Sequence, residues 1–166
     1  MADGETRIGV ESSSVYVETK VKTNIVDNYL SIVMPKTLSA DHTAVGLKGI
    51  EKAHEALVFG DVCYFNSDGE MAKADADAYA TAGGGLAMAI ASIDANADGL
   101  FLFNGKARDD SFAWTPGAFL YLSTTPGALD ATAPSATDDV IKPIAQAAGN
   151  ADTIIFYGTP GGVEHT

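Results

Sequence analysis

The chain has 166 residues, a formal net charge of −12, and 46% hydrophobic against 19% charged residues. That length allows one domain, or one domain with a small accessory layer. The acidic balance argues against a nucleic-acid partner, which needs clustered Lys and Arg on its phosphates. No apolar run reaches the roughly 20 residues of a membrane-spanning helix, so no membrane partner is expected.

Seventeen glycines and many alanines suit short strands and tight turns better than a charged helical bundle. Residues 1–58 hold six Lys/Arg against eight Asp/Glu, a net of −2. Residues 59–166 hold four against fourteen, a net of −10. The near-neutral first part is the better docking candidate, and the acidic remainder reads as a solvated surface. The N-terminus MADGETR is polar and no long apolar segment follows, so a soluble chain without a signal peptide is expected. The single cysteine, Cys63, rules out an intrachain disulfide and a cysteine zinc site. It lies in the apolar run Val62–Phe65 and is expected to be buried.

In chain order, Met1 to Ser14 is polar and aperiodic and reads as an arm. Val15, Val17, Thr19 and Val21 alternate with polar or half-polar neighbours, the pattern of a half-buried strand. Asn24 to Met34 is a second strand-like run, closed by Pro35. A short strand is expected over Val45–Ile50, while Glu51–Leu57 has helix-favouring composition but is too short to stand alone. Val62–Phe65 reads as a strand, and Asn66-Ser67-Asp68-Gly69 as a hairpin-type turn. Further strands are expected over Leu86–Ile93 and Leu100–Phe103, separated by a turn over Asp94–Gly99. Asn104-Gly105 is a hairpin signal. Ala118–Leu122 and Thr153–Tyr157 are short apolar, aromatic strands bounded by Pro-Gly and Asn-Ala-Asp turns.

An internal repeat organises these elements. Asn96-Ala97-Asp98 followed by Leu100–Phe103 matches Asn150-Ala151-Asp152 followed by Ile154–Tyr157, at an offset of 54 residues. Gly60 matches Gly117, and Tyr64 matches Tyr121, at an offset of 57. The fold expected is all-β and mainly antiparallel, a small β-barrel or sandwich built from two similar halves with an N-terminal arm. Its expected divisions are an arm at 1–14, N-terminal strands for docking at 15–56, the repeated module at 57–158 and a tail at 159–166.

Few residues invite chemistry. Asp94, Asn96 and Asp98, followed by Gly99, match the first half of a calcium loop, but its twelfth position is Gly105 rather than Glu. A polar β-turn is the preferred reading, with no metal expected. His42, His54 and His165 sit far apart in sequence and read as surface residues. Gly83-Gly84-Gly85 lacks the spacing of a phosphate loop. Asp109-Asp110 and Asp138-Asp139 resemble paired catalytic carboxylates only in sequence, since strand neighbours face opposite sides. Trp114 and Tyr121 are candidates for a sugar platform, or else for a core corner. Neither a catalytic residue nor a cofactor is expected.

The stretch W-T-P-G-x-x-L-Y-L-S-T-T-P-G-x-L from Trp114 is followed by T-A-P-S-A-T-D-D-V-I-x-P-I-A-x-A and A-D-T-I-I-F. It resembles a β-rich module of bacteriophage capsid decoration (cement) proteins and of head or tail fibre proteins. The likeness covers the last third to half of the chain, and Ala145 stands where that family more usually has Gly. The resemblance implies a non-enzymatic virion protein, made in the host cytoplasm and carried on the capsid surface. It further implies the major capsid protein as partner and a homotrimeric state; on that reading the polar, aperiodic Met1 to Ser14 is suspected as the contacting arm. A head or tail fibre component and a carbohydrate-binding β module are the alternatives.

Overall fold

The computed structural model describes residues 33–166. The expected arm at 1–14 and the strand at Val15–Lys22 lie outside the described residues, as does all but the end of Asn24–Met34. The strands are β1 (Thr43–Lys52), β2 (Val62–Phe65), β3 (Met71–Lys73), β4 (Leu86–Ala89), β5 (Asp98–Arg108) and β6 (Phe119–Leu122). They continue with β7 (Leu129–Asp130), β8 (Val140–Ile141), β9 (Pro143–Ala147), β10 (Thr153–Tyr157) and β11 (Val163–Glu164). One helical turn, α1 (Tyr79–Ala82), interrupts them. The fold is all-β, and every pairing between these strands is antiparallel.

Strand β5 is the spine. β1 runs along its whole length, from Thr43 opposite Arg108 to Lys52 opposite Asp98. The other edge of β5 is shared end to end: β4 lies opposite Phe101 and Leu102, and β10 opposite Asn104–Arg108. From that edge the order continues as β4-β2-β3 on one side and β10-β9-β6-β7 on the other. β8 and β11 form a separate small ribbon.

The internal repeat is therefore a repeat of topology, with β3-β2-β4-β5 answered by β7-β6-β9-β10. Register agrees: Met88 opposite Leu102 corresponds to Ala145 opposite Phe156, at offsets of 57 and 54. For β2 and β6 the pairing is offset by one extra residue at the start of the strands and returns to the expected offset at Tyr64 and Tyr121. Val62 opposite Met88 corresponds to Leu120 opposite Ala145, whereas Tyr64 opposite Leu86 corresponds to Tyr121 opposite Pro143 as the repeat predicts, although Leu122 is the residue that shares the core-facing side of Tyr64. Faces explain the shift. Val62, Leu120 and Leu122 are core residues and Tyr64 packs against the same core. One residue of slip turns every strand side chain to the other face, and an irregularity between Leu120 and Tyr121 absorbs the difference.

The sheet curls until its ends meet. The Ala76 N–H donates to the Ser123 carbonyl (2.9 Å) and the Gly127 N–H to that of Ala74 (2.7 Å). Inside the curl lies the main core, with Val62, Leu86, Met88, Leu102, Leu120, Ile144, Ile154 and Phe156 fully or almost fully buried. Alternate residues of the first half, Cys63, Ala87, Ala89 and Phe101, face a second core closed by Ala53, Leu57 and Ile93. Sandwiched between the two cores, β4 buries all four of its residues, Leu-Ala-Met-Ala. This accounts for a strand with small side chains on one face. Cys63 is buried as expected, and burial pushes its thiol up to about 12.

Two expectations are corrected. Asn104-Gly105 is no hairpin turn, because β5 runs straight through it. Gly46 and Gly105 face each other across β1 and β5, at φ of +144° and +151°. A Cβ on either would overlap a carbonyl oxygen of the opposite strand, that of Asn104 or Val45. Glycine marks a close backbone approach here. The helix-favouring Glu51–Leu57 is not helical either. Glu51 and Lys52 end β1, the Ala53 N–H donates to the Ala97 carbonyl, and Leu57 pairs with Ile93. Tertiary hydrogen bonds outweigh a weak local preference over so short a run.

Candidate functional site

The segment that precedes β1 is strapped to the end of β5. Lys106 Nζ donates to the Pro35 and Lys36 carbonyls (2.7 and 3.2 Å), and Arg108 Nη1 to the Leu38 carbonyl (2.8 Å). Leu38 is buried. Arg108 Nε also pairs with Asp110 Oδ1 (2.8 Å) and Asp152 Oδ2 (3.1 Å). Beside it the Asp110 N–H donates to Asp41 Oδ1, which holds the Asp41 carboxyl below its usual range. Sequence gave no sign of this strap, because its partners lie about 70 residues apart.

The residues singled out from sequence fall in separate places. The Asn96 N–H donates to the Ala53 carbonyl (2.8 Å) and the Ala97 N–H to that of Asp94 (3.1 Å), so Asp94–Ala97 forms a turn. Asp109 is buried and accepts the Ser111 N–H, whereas Asp110 is exposed and pairs with Arg108. Asp139 is buried and accepts the Ala136 N–H, whereas Asp138 is exposed. Neither pair shares a cleft as two carboxylates. Trp114 packs against the main core and lies 6.0 Å from the Phe112 ring. Tyr121 is half-buried on the opposite sheet face. His54 Nδ1 lies 3.0 Å from Glu70 Oε2, and Lys52 pairs with the other oxygen. Those bonds, Lys52 first and His54 second, hold the Glu70 carboxyl below its usual range. Among the described residues one group of three potential metal-ligating side chains converges, and it is Asp41, His42 and Asp109.

Lys142 is 3% exposed, and its Nζ donates to the Ala82 and Gly84 carbonyls (2.7 and 2.5 Å). It thereby closes the end of α1 and pins the glycine run. Burial lowers its amine from the ordinary value to about 8. Lys142→Ala is expected to cost about 2 kcal/mol in urea unfolding at pH 7, from lost packing and two orphaned carbonyls. The folded-state value lies below the unfolded one, so the unfolded chain holds the extra proton between them. Wild-type stability relative to the variant should then rise as pH goes from about 8 to 10.5.

The two half-sheets end differently on their outer faces. In the first half Cys63, Ala87, Ala89 and Phe101 are covered by Ala53, Leu57 and Ile93, and only Phe65 at the end of β2 stays largely exposed on that face. In the second half, Phe119, Gln146, Ile155 and Lys106 form one row across β6, β9, β10 and β5. Phe119 is 54% exposed, and Gln146, Ile155 and Lys106 are each half-buried. Tyr121 and Tyr157 lie beside that row, and the Tyr157 hydroxyl donates to the Ala145 carbonyl (3.1 Å). Burial, with Tyr121 close by, raises the Tyr157 phenol above its ordinary value. The result is an open, partly aromatic β surface, bordered at Lys106 by the strapped segment.

No protein-family model, curated protein or solved structure matches the chain.

Proposed function

We propose that the protein is a structural virion component, a capsid decoration (cement) protein that docks on the outer surface of a phage head and stabilises it. A homotrimer at the three-fold positions of the shell is the assembly that suits this role. The observation that carries the reading is the unlike finish of two like half-sheets. One outer face is closed over its centre by the chain's own loops, leaving Phe65 exposed at its end, and the other presents Phe119, Tyr121, Ile155 and Tyr157 across its width. Partly exposed aromatics beside an aliphatic side chain such as Ile155, with polar neighbours such as Gln146 and Lys106, are what a protein-docking surface uses. Their position beside the strapped, near-neutral part of the chain agrees with the division of charge along the sequence. The resemblance of the Trp114–Phe156 region to phage decoration modules supports the same reading.

The test is co-sedimentation with capsids that lack this protein, followed by cryo-electron microscopy of decorated particles. Wild type should saturate the shell and give density at capsomer junctions. Phe119→Ser combined with Tyr121→Ser should weaken binding at least tenfold, about 1.4 kcal/mol or more, while the module stays folded. Unchanged saturation by the folded double variant, or density only on the tail, overturns the proposal.

A further inference from the structure

We propose that Asp41, His42 and Asp109 form a binding site for one divalent transition-metal ion of the zinc type, independent of the docking surface. Asp41 and His42 are neighbours in the strapped segment, and Asp109, just past β5, lies 67 positions beyond His42. His42 Nε2 lies 3.4 Å from Asp109 Oδ2 and 3.8 Å from Asp41 Oδ2, and the three ligand atoms all lie within 4.8 Å of one another. An N–H···O bond is best near 2.9–3.0 Å, so both separations are long for hydrogen bonds. The 3.4 Å pair already has the spacing of neighbouring ligands in a coordination polyhedron, and the exposed Asp41 would have to close in by about 0.4 Å on binding. With metal–ligand bonds of about 2.0–2.1 Å, tetrahedral donors sit roughly 3.3–3.4 Å apart.

Supporting contacts leave one oxygen of each carboxylate free to face the imidazole. Asp41 Oδ1 takes the Asp110 N–H and Asp109 Oδ1 takes the Ser111 N–H, each at 2.8 Å. The Oδ2 atoms are the ones that face His42 Nε2. Bonds of this kind orient ligating carboxylates in metal sites. The His42 ring is stacked on Phe59, with centroids 4.8 Å apart and planes 22° apart, which fixes where its Nε2 points. A cavity of about 610 Å³ lined by His42, Phe59 and Asp109 among others adjoins the cluster and leaves room for a water as fourth ligand. An imidazole with two carboxylates favours zinc-type ions over calcium or magnesium, which prefer all-oxygen shells. A bound ion would clamp the strapped segment to β5.

The test is calorimetric titration of the full chain with zinc chloride, alongside thermal unfolding. Wild type and a His54→Ala control should each take up one zinc per chain, and zinc should raise their unfolding midpoints. His42→Ala and Asp109→Asn should bind at least tenfold more weakly and show no such rise. His42 is exposed, and Asp109→Asn keeps the Oδ1 that accepts the Ser111 N–H, so both variants should fold. Absence of zinc uptake by wild type, or uptake that survives both substitutions, overturns the site. Displacement of zinc by an equal concentration of calcium or magnesium overturns its assignment to a transition metal.

Discussion

Gly105→Ala is expected to leave the β module largely unfolded, with a loss above about 4 kcal/mol, the range reached when a special backbone position is violated inside a core. The reason is local to the crossing of β1 and β5. Gly105 sits at φ +151°, and its added Cβ would overlap the carbonyl oxygen of Val45 on the paired strand. Gly46 opposite it has the reciprocal conflict with Asn104. Relief would require β1 to leave β5, the strand on which both half-sheets are hung. Gly69→Ala supplies the contrast. Gly69 also has positive φ, +76°, but nothing lies near its Cβ position, so a cost of about 1 kcal/mol is expected. Urea unfolding followed by circular dichroism compares the two. A folded Gly105→Ala protein with a loss no larger than that of Gly69→Ala would mean that the β1–β5 approach is looser than described.

The second large effect is Phe101→Ala, expected to cost about 3–5 kcal/mol. Phe101 is fully buried in the core between the first half-sheet and the covering residues Ala53, Leu57 and Ile93. Its neighbours on that face include Ala87 and Ala89, whose short side chains cannot fill the cavity left behind. Chemical denaturation and hydrogen exchange give complementary readings. The residue at the matching place in the second half is Ile155, which is only half-buried, and Ile155→Ala should cost no more than about half as much. Equal losses at the two positions would contradict the assignment of one covered and one open face.

The fold class was legible because its signals are local. Val62–Phe65 and Thr153–Tyr157 are strands within the bounds that their β-branched and aromatic composition indicates. Asn66 and Gly69 form their turn as read: Asn66 Oδ1 accepts the N–H groups of Asp68 and Glu70. The repeat was legible too, since both halves need the same turn chemistry at corresponding corners. Strand β9 escaped notice because Pro143-Ile-Ala-Gln-Ala has little β propensity of its own, and it is a strand through pairing with β6 and β10.

The all-β class, the two similar halves, the buried Cys63 and a polar turn from Asp94 are thus local properties of the chain, although the turn expected over Asp94–Gly99 gives way to β5 at Asp98. Each follows from steric preferences and hydrophobic alternation that act over a few residues. The remaining features come from long-range contacts. Asn104-Gly105 is part of a strand because a second glycine 59 positions away faces it. An irregularity between Leu120 and Tyr121 leaves Tyr121 facing away from the core, one half-sheet face stays open, and Asp109 is set against His42. Those outcomes depend on which distant backbones meet, and no short window of sequence holds both partners.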